Sequence, residues 1–181
     1  MEKPSRRKAM GIAAAGAFGG VANGITPDAV PSEDLQREEA MNELSDETLQ
    51  DMIKKAIIVS KKAYCPYSKF EVGAAVLTEK GDVFLGCNVE NASYGLTICA
   101  ERNAVFQMVA LARQRIKALV IYTPTPKPSA PCGACRQVIN EFGPDTLIVS
   151  VCNGPDVLRK TLSALLPDAF GEANLKEFGG M

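Results

Sequence analysis

Hydrophobic residues first recur at helical spacing near residue 49. The apolar positions of this pattern are Leu49, Ile53, Ala56 and Ile57. Intervals of three and four residues place side chains on one face of an α-helix. Ser45 is a suitable N-cap residue, and two acidic side chains follow it in the first turn. The pattern predicts a helix that begins after Ser45 and ends near Tyr64.

The next two apolar runs have the character of strands. The side chains of residues 70–77 are expected to point alternately to the two faces of a strand. Residues 83–89 form a second short apolar run. The polar segment 79–82 separates them and favours a tight turn. A helix follows, which we expect Thr97 to cap. This helix carries the candidate functional residues Cys99 and Glu101. Its apolar residues are Ala104, Val105, Met108 and Leu111, and a basic turn with Arg113 and Arg115 follows.

The last part of the domain alternates again between strand and helix patterns. Residues 118–122 and 147–151 are short apolar runs typical of buried strands, and residues 123–130 contain three prolines and predict a loop. We expect a helix with Pro131 at its first position, ending at Phe142, and a final helix over residues 161–166. This order of elements predicts an α/β fold with a mixed sheet and helices packed on it.

The first 43 residues differ in amino-acid composition from the rest of the chain. This difference predicts an N-terminal extension and linker over residues 1–43 and a domain over residues 44–181. Two interpretations of the extension stay open. Ser5-Arg6-Arg7 before an Ala/Gly-rich segment is consistent with a twin-arginine export signal, whereas the simpler interpretation is a disordered or loosely helical tail. We expect a cytoplasmic protein with no stable membrane association, and export as the alternative if the segment is a signal.

Charge and composition exclude several functions. Twenty Lys and Arg residues against 21 Asp and Glu give a net charge of -1, so there is no excess of positive charge to bind phosphates, which argues against a nucleic acid as the main partner. The sequence contains no histidine, which removes the commonest metal ligand and general base. A metal site must therefore use Cys, Asp or Glu side chains.

Six cysteines are present, and three of them form a pattern. Cys132 and Cys135 are three residues apart after Pro131, so on a helix their sulfurs share one face. Cys99 can supply a third thiolate from another helix start, where the helix dipole favours thiolate over thiol. We predict one zinc ion per subunit on these three sulfurs, with the fourth position open to water.

Two alternatives to a catalytic site stay open for these cysteines: a closed structural zinc site, and a group of buried free thiols. The other three cysteines, Cys65, Cys87 and Cys152, lie outside the pattern and are expected to be small buried hydrophobic residues.

The neighbours of these cysteines suggest the chemistry. Glu101 lies two residues beyond a ligand, where a carboxylate can take a proton from a zinc-activated water and pass it to a substrate. Three thiolates on a divalent ion leave a negative centre, which Arg102 and Arg136 are positioned in the sequence to offset. We therefore predict that Glu101 is the catalytic residue and that Arg102 and Arg136 lie around the metal site and offset its negative charge.

With these motifs, the chain resembles the homotetrameric zinc-dependent cytidine deaminases over residues 49–170. The resemblance rests on five blocks in the family's order, which are the segments 66–75, 88–94, 99–102, 131–137 and 165–170. It implies a three-layer α-β-α fold with a mixed central sheet, and a homotetramer. The substrate-binding residues that the resemblance implies are Phe70, Asn88, Glu90, Tyr94, Ala100 and Phe170. Among these, Asn88 and Glu90 would bind the sugar, Phe70 would stack near the base, and Phe170 and Tyr94 would complete a neighbouring subunit's site.

The predicted function is the hydrolytic deamination of cytidine and 2'-deoxycytidine to uridine and 2'-deoxyuridine plus ammonia, an activity of pyrimidine salvage. The substrate is a free nucleoside, because the Glu90 carboxylate would repel a phosphate. One alternative is a deaminase of a related cytosine nucleoside such as blasticidin S. Others are a deaminase of DNA, RNA or a tRNA adenosine, and a zinc-stabilised binding module without activity.

Overall fold

The computed structural model describes residues 44–111 and 115–176. In chain order the helices and strands are α1 (Asp46–Ser60), β1 (Gly73–Thr78), β2 (Val83–Cys87), α2 (Ala100–Leu111), β3 (Ile116–Tyr122), α3 (Gly133–Phe142), β4 (Leu147–Val151), β5 (Leu158–Thr161), α4 (Leu162–Leu165) and α5 (Glu172–Lys176). A single 3-10 turn, Tyr94–Leu96, precedes α2. The possible export signal and the extension over residues 1–43 lie outside the described residues.

The five strands form one mixed sheet in the order β2-β1-β3-β4-β5. β1 is antiparallel to both β2 and β3, β3 and β4 run parallel, and β5 is antiparallel to β4. All residues of β1 and β4 are buried, because the sheet is covered on both faces. The fold is therefore the α/β arrangement with helices flanking a mixed sheet that the sequence predicted.

Each face of the sheet has its own hydrophobic core. On one face, Met52 and Ala56 of α1 pack against alternate residues of the central strands, including Ala75 and Val120. On the opposite face, the other alternate residues, such as Val76, pack against α2, α3 and α4. The period-two alternation of the strands thus divides the side chains between two layers of helices.

Most predicted elements are confirmed, with shifted ends. Ser45 caps α1 through a hydrogen bond from the Thr48 N–H to its hydroxyl (3.2 Å), but the helix ends at Ser60 rather than near Tyr64. Residues 70–72 precede β1 instead of belonging to it. The final predicted helix is the short α4, which Thr161 caps.

Two predicted helix starts are wrong. Thr97 does not cap α2, because its hydroxyl accepts a hydrogen bond from the Asn91 N–H and the helix begins three residues later at Ala100. Pro131 is not the first residue of α3, because the backbone of Cys132 is still extended (φ -65°, ψ 165°). In both cases the helix begins directly after a cysteine: α2 begins after Cys99, and α3 begins after Cys132.

Within the described ranges, no helix has the length and apolar character that a membrane span requires.

Candidate metal centre and substrate cavity

The three motif cysteines meet where the starts of α2 and α3 face each other. The Sγ atoms of Cys99 and Cys132 lie 3.9 Å apart, those of Cys132 and Cys135 lie 3.4 Å apart, and all three lie within 4.8 Å of one another. Cys99 and Cys132 each directly precede a helix, and Cys135 lies one turn inside α3. The fold thus brings together two segments that are 33 residues apart in the sequence.

The cluster has the chemistry and the dimensions of a zinc site. Zinc–sulfur bonds of about 2.3 Å in a tetrahedral site separate sulfurs by roughly 3.8 Å, close to the spacing of these sulfurs. Hydrogen bonding from Cys135, followed by that from Arg102 and Cys132, holds the pKa of the Cys99 thiol well below its ordinary value, although burial opposes this effect. The site therefore favours the thiolate form of Cys99, the form that binds a metal, whereas hydrogen bonding to Cys99 raises the pKa of its partner Cys135.

The guanidinium group of Arg102 contacts the cluster. One of its guanidinium nitrogens, Nη2, lies 3.8 Å from the Cys99 Sγ and also donates to the Thr97 carbonyl oxygen at 3.1 Å. The guanidinium of Arg136 is bound differently, since Nε donates to the Pro131 carbonyl (2.8 Å) and Nη1 to the Leu165 carbonyl (2.9 Å). Arg136 thus fastens the segment before Cys132 to the end of α4.

Glu101 is buried beside the three sulfurs, with 5% of its surface exposed. Burial raises the pKa of its carboxyl group to about 7, and the negative charge of Cys99 adds to the rise. A carboxyl group that titrates near neutral pH can both accept and release a proton under physiological conditions. The position of Glu101 in the first turn of α2 aims it into the cavity described next.

A cavity of about 490 Å³ opens above the cysteine cluster. Its walls come from the turn before β1, the end of β2, the start of α2, the end of β3 and the loop before α3. The lining residues are Ser68, Phe70, Val72, Asn88, Glu90, Thr97, Cys99, Ala100, Glu101, Ile121, Thr123, Ser129, Ala130 and Cys132. The cavity is large enough for a small organic ligand, and it has carboxylates at two places, Glu90 and Glu101.

Comparisons with known proteins point to one family. The sequence pattern described as the cytidine and deoxycytidylate deaminase zinc-binding region matches residues 46–151, more than half of the chain. A cytidine deaminase of Halalkalibacterium halodurans is 45% identical over 129 residues, which cover 71% of this chain and 98% of that protein. The chain belongs to the cytidine and deoxycytidylate deaminase family.

Solved structures of family members agree with this assignment. The crystal structure of a cytidine deaminase from Burkholderia pseudomallei has a TM-score of 0.65 and 48% identity, covering 67% of this chain and 98% of that one. The cytidine deaminase from Mycobacterium tuberculosis gives a TM-score of 0.60 and 42% identity over 68% of this chain and 97% of that one. In this zinc-binding family, Cys99, Cys132 and Cys135 are the residues that bind zinc.

The structure brings most of the other predicted site residues to the cavity and leaves two outside it. Phe70, Asn88, Glu90 and Ala100 line the same cavity as Glu101. Tyr94 is 76% exposed and lines a neighbouring depression of about 410 Å³, which shares Ser68, Glu90 and Thr97 with the main cavity. Phe170 is 57% exposed and lies by a separate depression next to α3 and α5.

Asn88 lines the cavity and also stabilises the backbone beside it. Its side-chain oxygen accepts a hydrogen bond from the Val72 N–H at 2.9 Å, and its Nδ2 donates to the Phe70 carbonyl at 2.8 Å. These two bonds fix the backbone that carries Phe70. One hydrogen of the amide group remains for a ligand, since an amide nitrogen carries two.

Sequence reasoning missed several polar residues of the cavity wall. Thr123 and Ser129 belong to the proline-rich loop, whose path over the cavity no local pattern indicates. Ser68 lies just before β1, in a segment where no local pattern indicates a functional role. The hydrogen bond from its N–H to Glu90 depends on tertiary packing, since the two residues are 22 positions apart.

Proposed function

We propose that this protein catalyses the hydrolytic deamination of cytidine and 2'-deoxycytidine, giving uridine and 2'-deoxyuridine plus ammonia, as in pyrimidine salvage. The observation that carries the proposal is the buried Glu101 beside three clustered cysteine sulfurs at the base of a cavity of about 490 Å³. The relatives that cover nearly the whole domain are cytidine deaminases, which supports the same substrate class.

Zinc held by Cys99, Cys132 and Cys135 would supply a Lewis acid that lowers the pKa of a water molecule. Glu101 performs the proton transfers. Its carboxylate accepts one proton of the attacking water and delivers it to N3 of the cytosine ring. It then takes the second water-derived proton from the new hydroxyl group on C4 and passes it to the departing amine, which leaves as ammonia.

The remaining cavity residues orient the nucleoside. The Phe70 ring and the methyl group of Ala100 pack on the base, while Asn88 and Glu90 bind the sugar hydroxyl at the other end. A carboxylate in this position accepts a hydrogen bond from a hydroxyl group but repels a phosphate, so the free nucleoside is preferred to the nucleotide. Deoxycytidine is expected to react as well. The sugar hydroxyl that Asn88 and Glu90 are proposed to bind is the 3'-hydroxyl, which both nucleosides carry.

Four chains are proposed to assemble into a homotetramer. Tyr94 and Phe170 are both exposed and lie outside the main cavity of their own chain, which fits residues that complete the site of a neighbouring subunit. Large exposed aromatic side chains are also typical of residues covered by association. Light scattering on the purified protein tests this assembly, with a monomer as the contradicting result.

A cytoplasmic location is proposed because a site of three thiolates persists best in a reducing compartment. Fractionation of cells that express the whole chain tests this location. Recovery of activity outside the cytoplasm would favour the export signal instead.

The direct test of the function is an ultraviolet assay of cytidine loss, with uridine and ammonia identified as products. Activity is expected with cytidine and deoxycytidine, is expected to disappear with a strong zinc chelator, and to return when zinc is added. Blasticidin S and single-stranded DNA are the comparison substrates. Turnover of either one in preference to cytidine would contradict the proposal.

A further inference from the structure

Two threonine hydroxyl groups form a chain of hydrogen bonds at the end of β3. The Oγ1 atoms of Thr123 and Thr125 lie 2.7 Å apart, so one of them donates to the other. The Oγ1 of Thr125 also lies 2.6 Å from the carbonyl oxygen of Lys127. A carbonyl oxygen can only accept, so in this second contact Thr125 is the donor.

The second contact fixes the direction of the first. A hydroxyl group carries one hydrogen, and Thr125 uses its hydrogen on Lys127. Thr125 must therefore accept from Thr123, which directs the Thr123 hydrogen along the loop and away from the cavity. The Thr123 oxygen retains lone pairs, so toward a ligand this side chain is a hydrogen-bond acceptor and not a donor.

Thr123 belongs to the floor of the cavity described above. Its N–H continues the strand ladder by donating to the Val151 carbonyl at 3.1 Å. Tyr122 packs in the core beneath α1, so strand alternation places Ile121 and Thr123 together on the opposite face, which α2 covers. Both of these residues line the cavity, and each is 2% exposed.

Strand pairing places Thr123 away from the sugar side of the cavity. Cys87 of β2 and Tyr122 of β3 both pair with Gly73 of β1. The residues that follow them, Asn88 and Thr123, therefore lie beyond the same edge of the sheet and two strand spacings apart, about 10 Å. Since Asn88 is proposed to bind the sugar, Thr123 lies on the side where the base is expected.

We infer that Thr123 is a specificity-determining residue, whose hydroxyl oxygen accepts a hydrogen bond from the 4-amino group of cytosine and so distinguishes cytidine from uridine. This inference rests on the proposed function and deepens it. The loop that begins at Thr123 leads to the zinc ligand Cys132, next to which the reacting carbon must lie. The amino group of cytosine donates, whereas the 4-oxo group of uracil only accepts. The fixed acceptor thus binds the substrate and disfavours the product.

The test compares the KM for cytidine with the inhibition constant of uridine. Thr123→Val keeps the shape of the side chain and removes the acceptor, so it is expected to raise KM about fivefold without weakening uridine. Thr125→Val releases the Thr123 hydrogen, which can then be donated to the 4-oxo group, and is expected to lower the uridine constant about fivefold. Thr48→Val is the matched control in α1, where the Thr48 hydroxyl lies 2.9 Å from that of Ser45.

The ratio of the uridine constant to the cytidine KM decides the result. A ratio within about twofold of that of the unmodified enzyme, in either folded variant, would overturn the inference, because damage to the cavity weakens both ligands alike. If Thr123→Val fails to fold, Thr125→Val decides alone, since lost structure does not tighten uridine binding. An unmodified protein without activity on cytidine would overturn the proposed function itself, which differs from an unchanged ratio in an active enzyme.

Discussion

The Nη2 of Arg102 lies 3.8 Å from the Sγ of Cys99. The same nitrogen donates to the Thr97 carbonyl, so the guanidinium is held against the cysteine cluster by the backbone just before α2. A fixed cation at this distance offsets part of the negative charge that three thiolates bring to a divalent ion.

Arg102→Ala is expected to weaken zinc binding by about tenfold or more, because residues that contact metal ligands usually contribute that much. Competition with a chelator of known affinity measures the change. Arg115→Ala removes an exposed arginine that forms an ion pair with Glu79 at 3.6 Å, and it serves as the control. Equal zinc affinities for the two variants would contradict a role of Arg102 in charge compensation.

Glu101→Gln is expected to retain zinc and lower kcat by at least about a thousandfold, because the amide cannot transfer the protons. Folding should be preserved, since the neutral side chain has the same shape and removes a buried charge. Zinc content and kcat are measured on the same preparation. Glu79→Gln, at an exposed surface carboxylate, controls for the loss of one negative charge. Ordinary turnover by the Glu101 variant would exclude its proposed role.

The sequence alone was sufficient to predict the site residues that local spacing brings together. Cys132 and Cys135 share a helix face through their spacing, and Cys99 and Glu101 stand together at the start of another helix. The inner strands β3 and β4 were predicted because buried strands consist of apolar residues. The strand β5 was missed, because Arg159 and Lys160 are exposed at this edge of the sheet and leave no hydrophobic run.

The other features that the sequence analysis missed or misplaced depend on contacts that local sequence patterns do not indicate. The contact of Ser68 with Glu90 spans 22 residues and requires a left-handed turn at Lys69, which the sequence does not mark with glycine. The start of α2 was misplaced because Thr97 has the side chain of a cap residue, but its hydroxyl is bound to the Asn91 N–H.

The charge of Glu90 gives a prediction for the dependence of KM on pH. Its pKa lies below the ordinary value of 4.5, owing to hydrogen bonds from Ser68 and the Tyr67 N–H and to the nearby Lys69. A depressed pKa means that the carboxylate persists at pH values above 4.5 and is lost only as the pH falls through the lowered value. The contribution of Glu90 to KM should therefore stay constant from pH 8 to about 5 and be lost only in stronger acid.

Glu90→Gln provides the reference for this measurement. Protonation of the cytosine ring in acid affects both proteins equally, so the ratio of their KM values isolates the carboxylate. The ratio is expected to be constant down to the ordinary carboxyl range and to approach one below it. A ratio that already falls between pH 7 and 6 would contradict the lowered pKa.

Gly86 marks the place where α2 lies directly on the sheet. A Cβ at this position would meet the backbone of Ala100 and Ala104 in the helix that carries Glu101. Because backbone atoms cannot move aside as a side chain can, Gly86→Ala should reduce the free energy of unfolding by about 1–3 kcal/mol. Thermal or urea unfolding measures the loss. Gly95→Ala is the control, since a Cβ there meets open space.

The central claim is that Cys99, Cys132 and Cys135 bind one zinc ion and leave a fourth position for water beside Glu101. X-ray absorption at the zinc edge of the purified holoprotein tests it most directly. We expect three sulfur ligands at about 2.3 Å and one oxygen ligand at about 2.0 Å per zinc. A shell of four sulfurs, or one without sulfur, would contradict the account.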